Sequence, residues 1–280
     1  MTHIDTPAEG QELVYQVTLP VSTRSLALVT RALRIYRRQV KSRWRKLPDA
    51  RTALIVLAVL RKDERPADLA AGNGVSHHSV RRWVKQAVTV LARMAPRLDR
   101  VLSRAARARH DQPVLLLDGT CIPVHTSRGR VKRRFWCPKH KAYHLRVMTL
   151  TDQRGRLLWT SAAAPARLHE TTQAKRLGLP ARLRRHGLAI ICDRYHTRLD
   201  DQPATDPTVL VGRRGSRNHR LTTHEKTVNA LLARERVANE HAHAHLKNWR
   251  VLNRLRRDWR EHATTIVRAL LVLTQAEVAR

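Results

Sequence analysis

The run PVLLLDGTCIPV, residues 113–124, decides the fold class of this chain. Its stretch of Val and Leu stops at Asp118-Gly119, which is typical of a short strand buried on both faces. Two further apolar runs, at 142–152 and 156–166, flank the turn residues Gln153-Arg154-Gly155 and predict a β-hairpin. The chain therefore contains a block of strands that starts near residue 113.

Helix and strand patterns alternate after this block. Residues 170–186 predict a helix, LAIICD (188–193) predicts another strand, and TVLVG (208–212) predicts a short one. The end of the chain, from about residue 223 to residue 280, predicts a long helix. Strands in a block followed by helix, strand and helix predict a mixed α/β sheet in a domain that spans residues 113–280.

The first third of the chain carries helical patterns only. Residues 1–48 predict a basic helical segment, because apolar residues recur there among many arginines and lysines. Residues 49–95 predict three helices, and residues 96–112, rich in Arg and Ala, predict a connector. An all-α part is thus expected to precede the α/β domain.

The segment ADLAAGNGVSHHSVRRWV, residues 67–84, predicts a helix-turn-helix. Gly72-Asn73-Gly74 favours a tight turn, Ser76 is suited to cap the second helix, and Val80 and Trp83 supply its apolar side. From the outward positions of such a helix, side chains reach base edges and phosphates. The residues predicted to bind DNA there are Ser76, His77, His78, Ser79, Arg81 and Arg82. The alternative is a plain helical hairpin whose exposed residues are basic.

The composition favours a polyanionic partner. Lys and Arg number 55 against 22 Asp and Glu, which gives a formal charge of +33. A compact chain with this charge repels itself unless a polyanion neutralises it, so nucleic acid is the first partner to consider. The start of the chain shows no export signal, and its apolar runs are shorter than the ~20 residues that span a bilayer. We therefore expect no membrane contact and a cytoplasmic location.

Three cysteines, Cys121, Cys137 and Cys192, are widely spaced and odd in number. This pattern does not indicate a disulfide framework. Cys137 and His140, in Cys-Pro-Lys-His, offer two ligands for zinc, but no matching second pair accompanies them. We interpret this motif as structurally ordinary.

Two acids are conspicuous in a chain so poor in acids. Asp118 ends the apolar run VLLLD and Asp193 ends AIICD. Two neighbouring strands would bring these carboxylates together, and a divalent cation would relieve their repulsion. The alternatives are that Asp118-Gly119 is only a turn and that Asp193 only caps a strand.

The stretch ANEHAHAHLKNW, residues 238–249, supplies a third acid, Glu240. On a helix, Arg236 and Lys247 lie within roughly 60° of Glu240, and such an arrangement suits a metal ligand beside a bound phosphate. The alternative is that these three residues form ordinary salt bridges on an exposed helix surface. His241 and His245, one turn apart, are the alternative zinc ligands, but no third ligand is evident for them.

The order Asp118, Asp193, Glu240 resembles that of the DDE transposases of bacterial insertion sequences. LLLDGTCIPV resembles the first-aspartate strand of that family, FWCPKHKAYHLRV its following basic strand, and EHAHAHLKNWRVL its glutamate helix. The spacing from Arg236 through Glu240 to Lys247 is similar to the family pattern, and the helix-turn-helix lies where the Harbinger-like branch has one. The resemblance covers residues from about 50 to 275.

Three positions depart from the family pattern. Ala233 replaces the tyrosine that is usual three residues before the arginine. The turn after the second aspartate, Asp193-Arg194-Tyr195-His196, lacks its usual glycine, and His169-Glu170 stands in place of His-Asp. The missing glycine bears on the loop that holds the second acid.

The resemblance implies a ribonuclease-H-like fold and a transposase activity. Asp118, Asp193 and Glu240 would be the catalytic acids and would hold two Mg²⁺ or Mn²⁺ ions for phosphoryl transfer on double-stranded DNA. The DNA backbone would be held by Arg236, Lys247 and the basic run RGRVKRRFWCPKHK (128–141), in particular Lys132, Arg133 and Arg134. We expect a homo-oligomer on DNA, associated with a bacterial nucleoid.

Two other functions remain open at this point. A regulator or a decayed transposase would bind DNA through residues 67–84 without cutting it. A zinc hydrolase would depend on His241 and His245.

Replacing Arg81 and Arg82 together by Ala is expected to weaken DNA binding. The slope of log affinity against log salt should fall by ~0.9 for each phosphate that the protein no longer neutralises, since fewer counterions are then released. Titrations of duplex DNA at several salt concentrations measure both quantities. An unchanged affinity and slope would place the DNA-binding surface elsewhere.

Overall fold

A mixed sheet forms the centre of the protein. The structure is a computed structural model and describes residues 18–42, 46–108, 114–125, 132–200, 207–217, 220–256 and 260–279. Within these ranges the strands are β1 (Val114–Pro123), β2 (Trp136–Cys137), β3 (Ala142–Thr151), β4 (Leu157–Thr160), β5 (Ala164–Pro165), β6 (Ala189–Cys192) and β7 (Val209–Val211). The expected strands at 113–124, 188–193 and 208–212 are all present.

The strand order is β2-β3-β1-β6-β7. Strand β3 runs antiparallel to β1, whereas β6 runs parallel to β1 and β7 parallel to β6. Strands β4 and β5 pair with β3 in the antiparallel sense. The sheet is therefore mixed, as the alternation of strands and helices predicts.

Helices cover both faces of this sheet. Those that the structure describes are α1 (Thr23–Gln39), α2 (Asp49–Lys62), α3 (Pro66–Ala71), α4 (His77–Met94), α5 (Leu98–Arg107), α6 (Lys132–Phe135), α7 (Glu170–Arg176), α8 (Leu179–Arg185), α9 (Thr223–Lys247) and α10 (Ala263–Val278). Over the described ranges, none of them combines the length and the apolar character that crossing a membrane requires.

The predicted hairpin at residues 153–155 is present between β3 and β4. The carboxylate of Asp152 accepts hydrogen bonds from the backbone N–H groups of Arg154 and Arg156, at 3.1 and 2.9 Å. Gly155 has φ +75°, a conformation that suits glycine. Turn chemistry thus sets the register of the two strands.

The helices differ from the expectations in three places, since the single helix expected at 170–186 is also two helices, α7 and α8. Residues 96–112, expected to be a connector, contain α5, because Leu98, Val101 and Leu102 share one helix face and are buried. The expected long helix from residue 223 to residue 280 is two helices, α9 and α10, with a break between them.

The break after α9 has a physical cause. Trp249 is fully buried, and its indole N–H donates a hydrogen bond to Oγ1 of Thr274 on α10, at 3.0 Å. Leu255 then pairs with the end of β1: its N–H donates to the carbonyl of Pro123 at 2.8 Å, and its carbonyl accepts from His125 at 2.9 Å. The chain therefore leaves the helix to extend the sheet.

Two hydrophobic cores lie on opposite faces of the sheet. One contains α1, α2, α4 and α10 together with Ile122 and Val147 of the sheet. The other contains α5, α7 and α8 together with Leu117 and Met148. Because α10 packs against α1 and α4, the N-terminal helices share a core with the end of the described chain.

Thr274→Val is expected to lower the free energy of unfolding by about 1–3 kcal/mol. The substitution keeps the shape of the side chain but leaves the buried indole N–H of Trp249 without an acceptor. Urea unfolding followed by tryptophan fluorescence measures the change. Thr265→Val, at a half-buried position on the same helix, is the control and should change the value by less than about 0.5 kcal/mol. Equal effects of the two substitutions would contradict the role of the hydrogen bond.

Candidate active site

Asp118 and Asp193 lie side by side at the edge of the β1–β6 pairing. Leu116 pairs with Ile191, and two residues further along each strand bring the chain to the two acids. Asp193 directly follows β6, as expected. Asp118 does not end a strand, because β1 continues to Pro123 along β3. The interpretation of Asp118-Gly119 as a turn is therefore wrong.

Arg236 of α9 faces both carboxylates. Its Nη2 is 3.8 Å from Oδ2 of Asp118 and 3.7 Å from Oδ2 of Asp193. A single positive charge thus offsets the repulsion between two acids that the strands hold together. The structure brings the two aspartates together as predicted, but it turns Arg236 towards them rather than outward to solvent.

His243 fixes the position of α9 over these strands. Its Nε2 is 2.8 Å from Oγ1 of Thr149, and that hydroxyl lies 3.1 Å from the carbonyl of Asp118, to which it donates. Since the hydroxyl has one hydrogen, Nε2 of His243 is the donor in the first contact. Burial lowers the pKa of His243, with Asp118 acting in the opposite direction. A neutral imidazole therefore links the helix to the backbone of the first acid.

Glu240 lies on the same face of α9 but does not touch the two aspartates. Its side chain is exposed, and among the described residues it makes neither an ion pair nor a hydrogen bond. It lies within about 60° of Arg236 and His243 around the helix axis, and its charge acts on His243. Glu240 therefore lies at the rim of the site.

A second acid, Glu170, packs against β1 from the other face of the sheet. A Cβ atom placed on Gly119 would lie 2.5 Å from Oε1 of Glu170, so only glycine leaves room there. The same oxygen is 3.2 Å from Nε of Arg146, and Oε2 is 3.7 Å from Nε2 of His196. In the sequence, Glu170 stands out only as a departure from the family pattern. The signal that could have found it is a glycine inside a strand.

The turn after Asp193 forms without its usual glycine. Residues Arg194–His196 make one 3₁₀ turn, in which the N–H of His196 donates to the carbonyl of Asp193 at 2.8 Å. None of these residues has a positive φ. The backbone that holds the second acid is thus compatible with the sequence as it stands.

His196 is buried beneath this turn. Burial lowers its pKa, although the charge of Glu170 acts to raise it. The imidazole is therefore neutral near pH 7, and its contact with Glu170 is polar rather than a full ion pair.

The residues predicted to bind DNA lie mostly at the surface. Gly74 has φ +59° in the turn before α4, and Oγ of Ser76 accepts a hydrogen bond from the N–H of Ser79 at 3.2 Å. The exposed members of the predicted set are Ser76, His77, His78, Arg81, Arg82, Arg133, Arg134 and Lys247, whereas Ser79 is half-buried. Lys132 begins α6, and residues 128–131 of the basic run lie outside the described residues.

The alternative zinc ligands His241 and His245 are both exposed. In the part of the chain that the structure describes, neither belongs to a group of three side chains that could hold a metal ion. The geometry gives no support to a histidine cassette on α9.

Comparison with known proteins identifies the family. Residues 117–275 match the model of the DDE superfamily endonuclease family. This match covers more than half of the chain, and the protein belongs to that family. Asp118, Asp193 and Glu240 all lie within the matched residues. No curated protein matches the sequence.

The solved structures that are similar to this chain include one of a transposase complex. It is the cryo-EM structure of a piggyBac transposase synaptic complex with hairpin DNA. The sequence identity is 10%, the match covers 91% of this chain and 70% of that chain, and the TM-score is 0.46.

The protein is expected to lose stability as the pH falls, and the protonation of His196 should account for part of this loss. Its folded-state pKa is lowered from the ordinary value of 6.5, so the unfolded chain binds more protons once the pH drops below that value. The contribution of His196 to stability is present above pH 6.5 and is lost as the pH falls through the folded-state pKa. His196→Gln removes this titration.

Urea unfolding at a series of pH values compares the two proteins. The unfolding free energy of the unchanged protein should drop more steeply on acidification than that of the variant, since other titrating groups contribute equally to both. Parallel profiles would contradict the buried neutral state of His196.

Proposed function

We propose that this DDE superfamily endonuclease is a transposase that binds DNA ends and catalyses strand cleavage and strand transfer. The observation that carries the proposal is the placement of Asp118 and Asp193 on neighbouring strands, against one shared cation. Phosphoryl transfer asks a protein chiefly to position charged groups. The carboxylates of Asp118 and Asp193, held next to each other where the β1–β6 pairing ends, meet that need.

The residues at this site fit divalent cations. Oxygen ligands from adjacent carboxylates are those that Mg²⁺ and Mn²⁺ prefer, and the guanidinium of Arg236 marks the place where positive charge is stabilised. When bound, two such ions would polarise the phosphate and supply the charge that the attacking and leaving oxygens need. Asp118 and Asp193 would hold one ion, and Glu240 would complete the second site.

Arg236 would then change partners. Its Nε is buried and has no hydrogen-bond acceptor among the described residues, so the guanidinium is incompletely satisfied where it lies. When metal ions neutralise the two aspartates, Arg236 can donate to a phosphate oxygen of the DNA instead. This exchange accounts for its inward orientation and for its predicted role on DNA.

Glu240 would act from the rim of the site. The helix that carries it is held by the contact between His243 and Thr149, and its carboxylate would approach Asp118 by side-chain rotation. Its exposed position keeps it hydrated until metal and DNA arrive. His243 is a positioning residue in this scheme.

The DNA would run across the residues that the sequence predicts to bind it. Three groups of residues would contact it. They are Ser76, His77, His78, Ser79, Arg81 and Arg82 at the start of α4, Lys132, Arg133 and Arg134 on α6, and Lys247 on α9. We further propose that residues 49–95 act as a helix-turn-helix unit, that the sheet is of the ribonuclease-H type, and that the protein works as a homo-oligomer on the ends of a Harbinger-like bacterial insertion sequence in the nucleoid.

One observation favours a second candidate, a DNA-binding protein that has lost its activity. Arg236 fills the space between the two aspartates while Glu240 makes no contact with them. A protein of this kind would bind DNA without cutting it.

Glu240→Gln is expected to reduce strand cleavage by at least ~100-fold, the scale on which loss of one charge at a reacting centre acts. Asp118→Asn should do the same, and both variants should bind DNA within about twofold of the unchanged protein, because DNA affinity rests on the basic surface. A cleavage and strand-transfer assay with Mg²⁺, run beside a gel-shift titration, measures both properties.

Glu235→Gln is the matched control, since Glu235 is exposed on the same helix but points about 140° away from Glu240. This variant should retain cleavage, as should the double change His241→Ala and His245→Ala. Cleavage by the Glu240 variant together with its loss in the double histidine variant would refute the assignment of the three acids. Binding without cleavage by the unchanged protein would favour the inactive alternative.

A further inference from the structure

Three side chains of the types that bind zinc in proteins lie close together near the end of β1. They are Cys121, Cys137 and His140, and their ligand atoms all lie within 4.8 Å of one another. On sequence alone the motif Cys137-Pro-Lys-His140 is ordinary, because it lacks a second pair of ligands. The fold supplies a third ligand from a different strand.

Strand pairing explains why these residues meet. Cys121 of β1 lies opposite Arg146 of β3, and Cys137 of β2 lies opposite Ala142 of β3. Opposite residues in an antiparallel pair share a face, and alternate residues along β3 do so as well. Both cysteines therefore project on the same side of the sheet. That side is also the one on which His144 of β3 lies.

The turn between β2 and β3 adds the histidine. Residues Pro138–His140 form a 3₁₀ turn, and Lys141 has φ +46°, which lets the chain reverse within four residues. His140 is thereby brought over the strand from which Cys137 extends.

His144 provides an independent indication of a ligand. It is only 7% exposed, and its Nδ1 is buried with no hydrogen-bond partner among the described residues. Its ring centroid is 5.0 Å from that of His140. A buried imidazole nitrogen without a partner is costly, and a metal ion between the two rings would satisfy it.

We propose that Cys121, Cys137, His140 and His144 bind one Zn²⁺ ion. Two sulfur and two nitrogen ligands are a set that zinc takes in tetrahedral structural sites, and soft thiolates separate this site from the carboxylates that suit magnesium. Tetrahedral ligands stand roughly 3.5 Å apart at the usual zinc distances. The ligand atoms of Cys121, Cys137 and His140 need adjustments of about 1 Å to reach this spacing, and rotation of the His144 side chain would add the fourth ligand.

The ion would join the edge of the sheet to its centre. Cys137 lies in β2, which directly follows the basic helix α6, and Cys121 lies three residues from Asp118 on β1. Bound zinc would hold α6, with Arg133 and Arg134, at a fixed distance from the two aspartates. The role of the zinc ion would be structural, and the zinc proposal does not depend on the proposed transposase activity.

Zinc content tests the proposal directly. The full chain, purified with a thiol reductant and dialysed against metal-free buffer, should retain about one zinc ion per chain by elemental analysis. After removal of zinc and addition of Co²⁺, the protein should show the near-ultraviolet absorption of a cobalt–thiolate bond. Absence of stoichiometric zinc together with absence of this absorption would overturn the proposal.

Substitutions locate the site. Cys121→Ser and Cys137→Ser should each lower zinc affinity by at least tenfold and weaken the cobalt–thiolate band, whereas Cys192→Ala, which removes the remaining cysteine, should change neither. Cys137 is buried, so its serine variant could fail to fold. His140→Ala, at an exposed position, is the second variant for that case. This variant should lower zinc affinity and leave the fold intact. Asp118→Asn should keep the zinc. Zinc that persists in the cysteine variants but is lost with Asp118→Asn would assign the ion to the aspartates and refute the proposal.

Discussion

The parallel pairing of β1 with β6 is the constraint on which the candidate site depends. It places Asp118 on β1 and Asp193 directly after β6 at the same level, so the backbone holds the two acids next to each other. Two acids in that position need a positive charge beside them. Arg236 supplies this charge, and it can do so only because α9 lies across the end of the β1–β6 pairing. The position of the helix is thus a consequence of strand register.

The helix that meets this need is buried only in its last turns, while Asn229 near its start exchanges two hydrogen bonds with the backbone of Arg213, at 2.8 and 2.9 Å. The buried residues of α9 are Asn239, Ala242 and Leu246, all in its last turns, while Val228 and Leu231 near its start are exposed. The hairpin turn at Gly155 touches the carbonyl of Ala238, and His243 contacts Thr149. Arg236 and Glu240 lie where the buried part of the helix gives way to the exposed part. The backbone is held there, while the exposed side chain of Glu240 can change rotamer.

Patterns local in sequence were enough to predict much of the fold. Apolar runs bounded by turn residues indicated the sheet, the hairpin at Gly155 and the neighbouring positions of the two aspartates. Periodicity did not reveal the break after α9, because the reason for it lies in Trp249 and its partner Thr274, 25 residues away. It also failed at α5, whose apolar face is short and surrounded by arginines.

The site was less accessible to sequence reasoning than the fold. Glu170 approaches Gly119 from the opposite face of the sheet, and this approach depends on three-dimensional packing. Cys121 joins Cys137 and His140 only because β1 and β2 flank the same strand. By contrast, the spacing of Arg236, Glu240 and Lys247 on one helix face follows from helix geometry alone. Contacts within one element can be predicted from spacing, and contacts between elements require the topology.

The packing of α10 against α1 and α4 governs how the chain can fold as it is made. Leu33, Val56 and Leu91 of the first helices are buried in a core that α10 completes with Leu270 and Leu271. At ribosomal rates of about 5–20 residues per second, α10 follows α4 by on the order of ten to thirty seconds. Throughout that interval the first helices carry apolar faces without their final cover. The emerging chain therefore exposes apolar surface of the kind that leads to aggregation until α10 arrives.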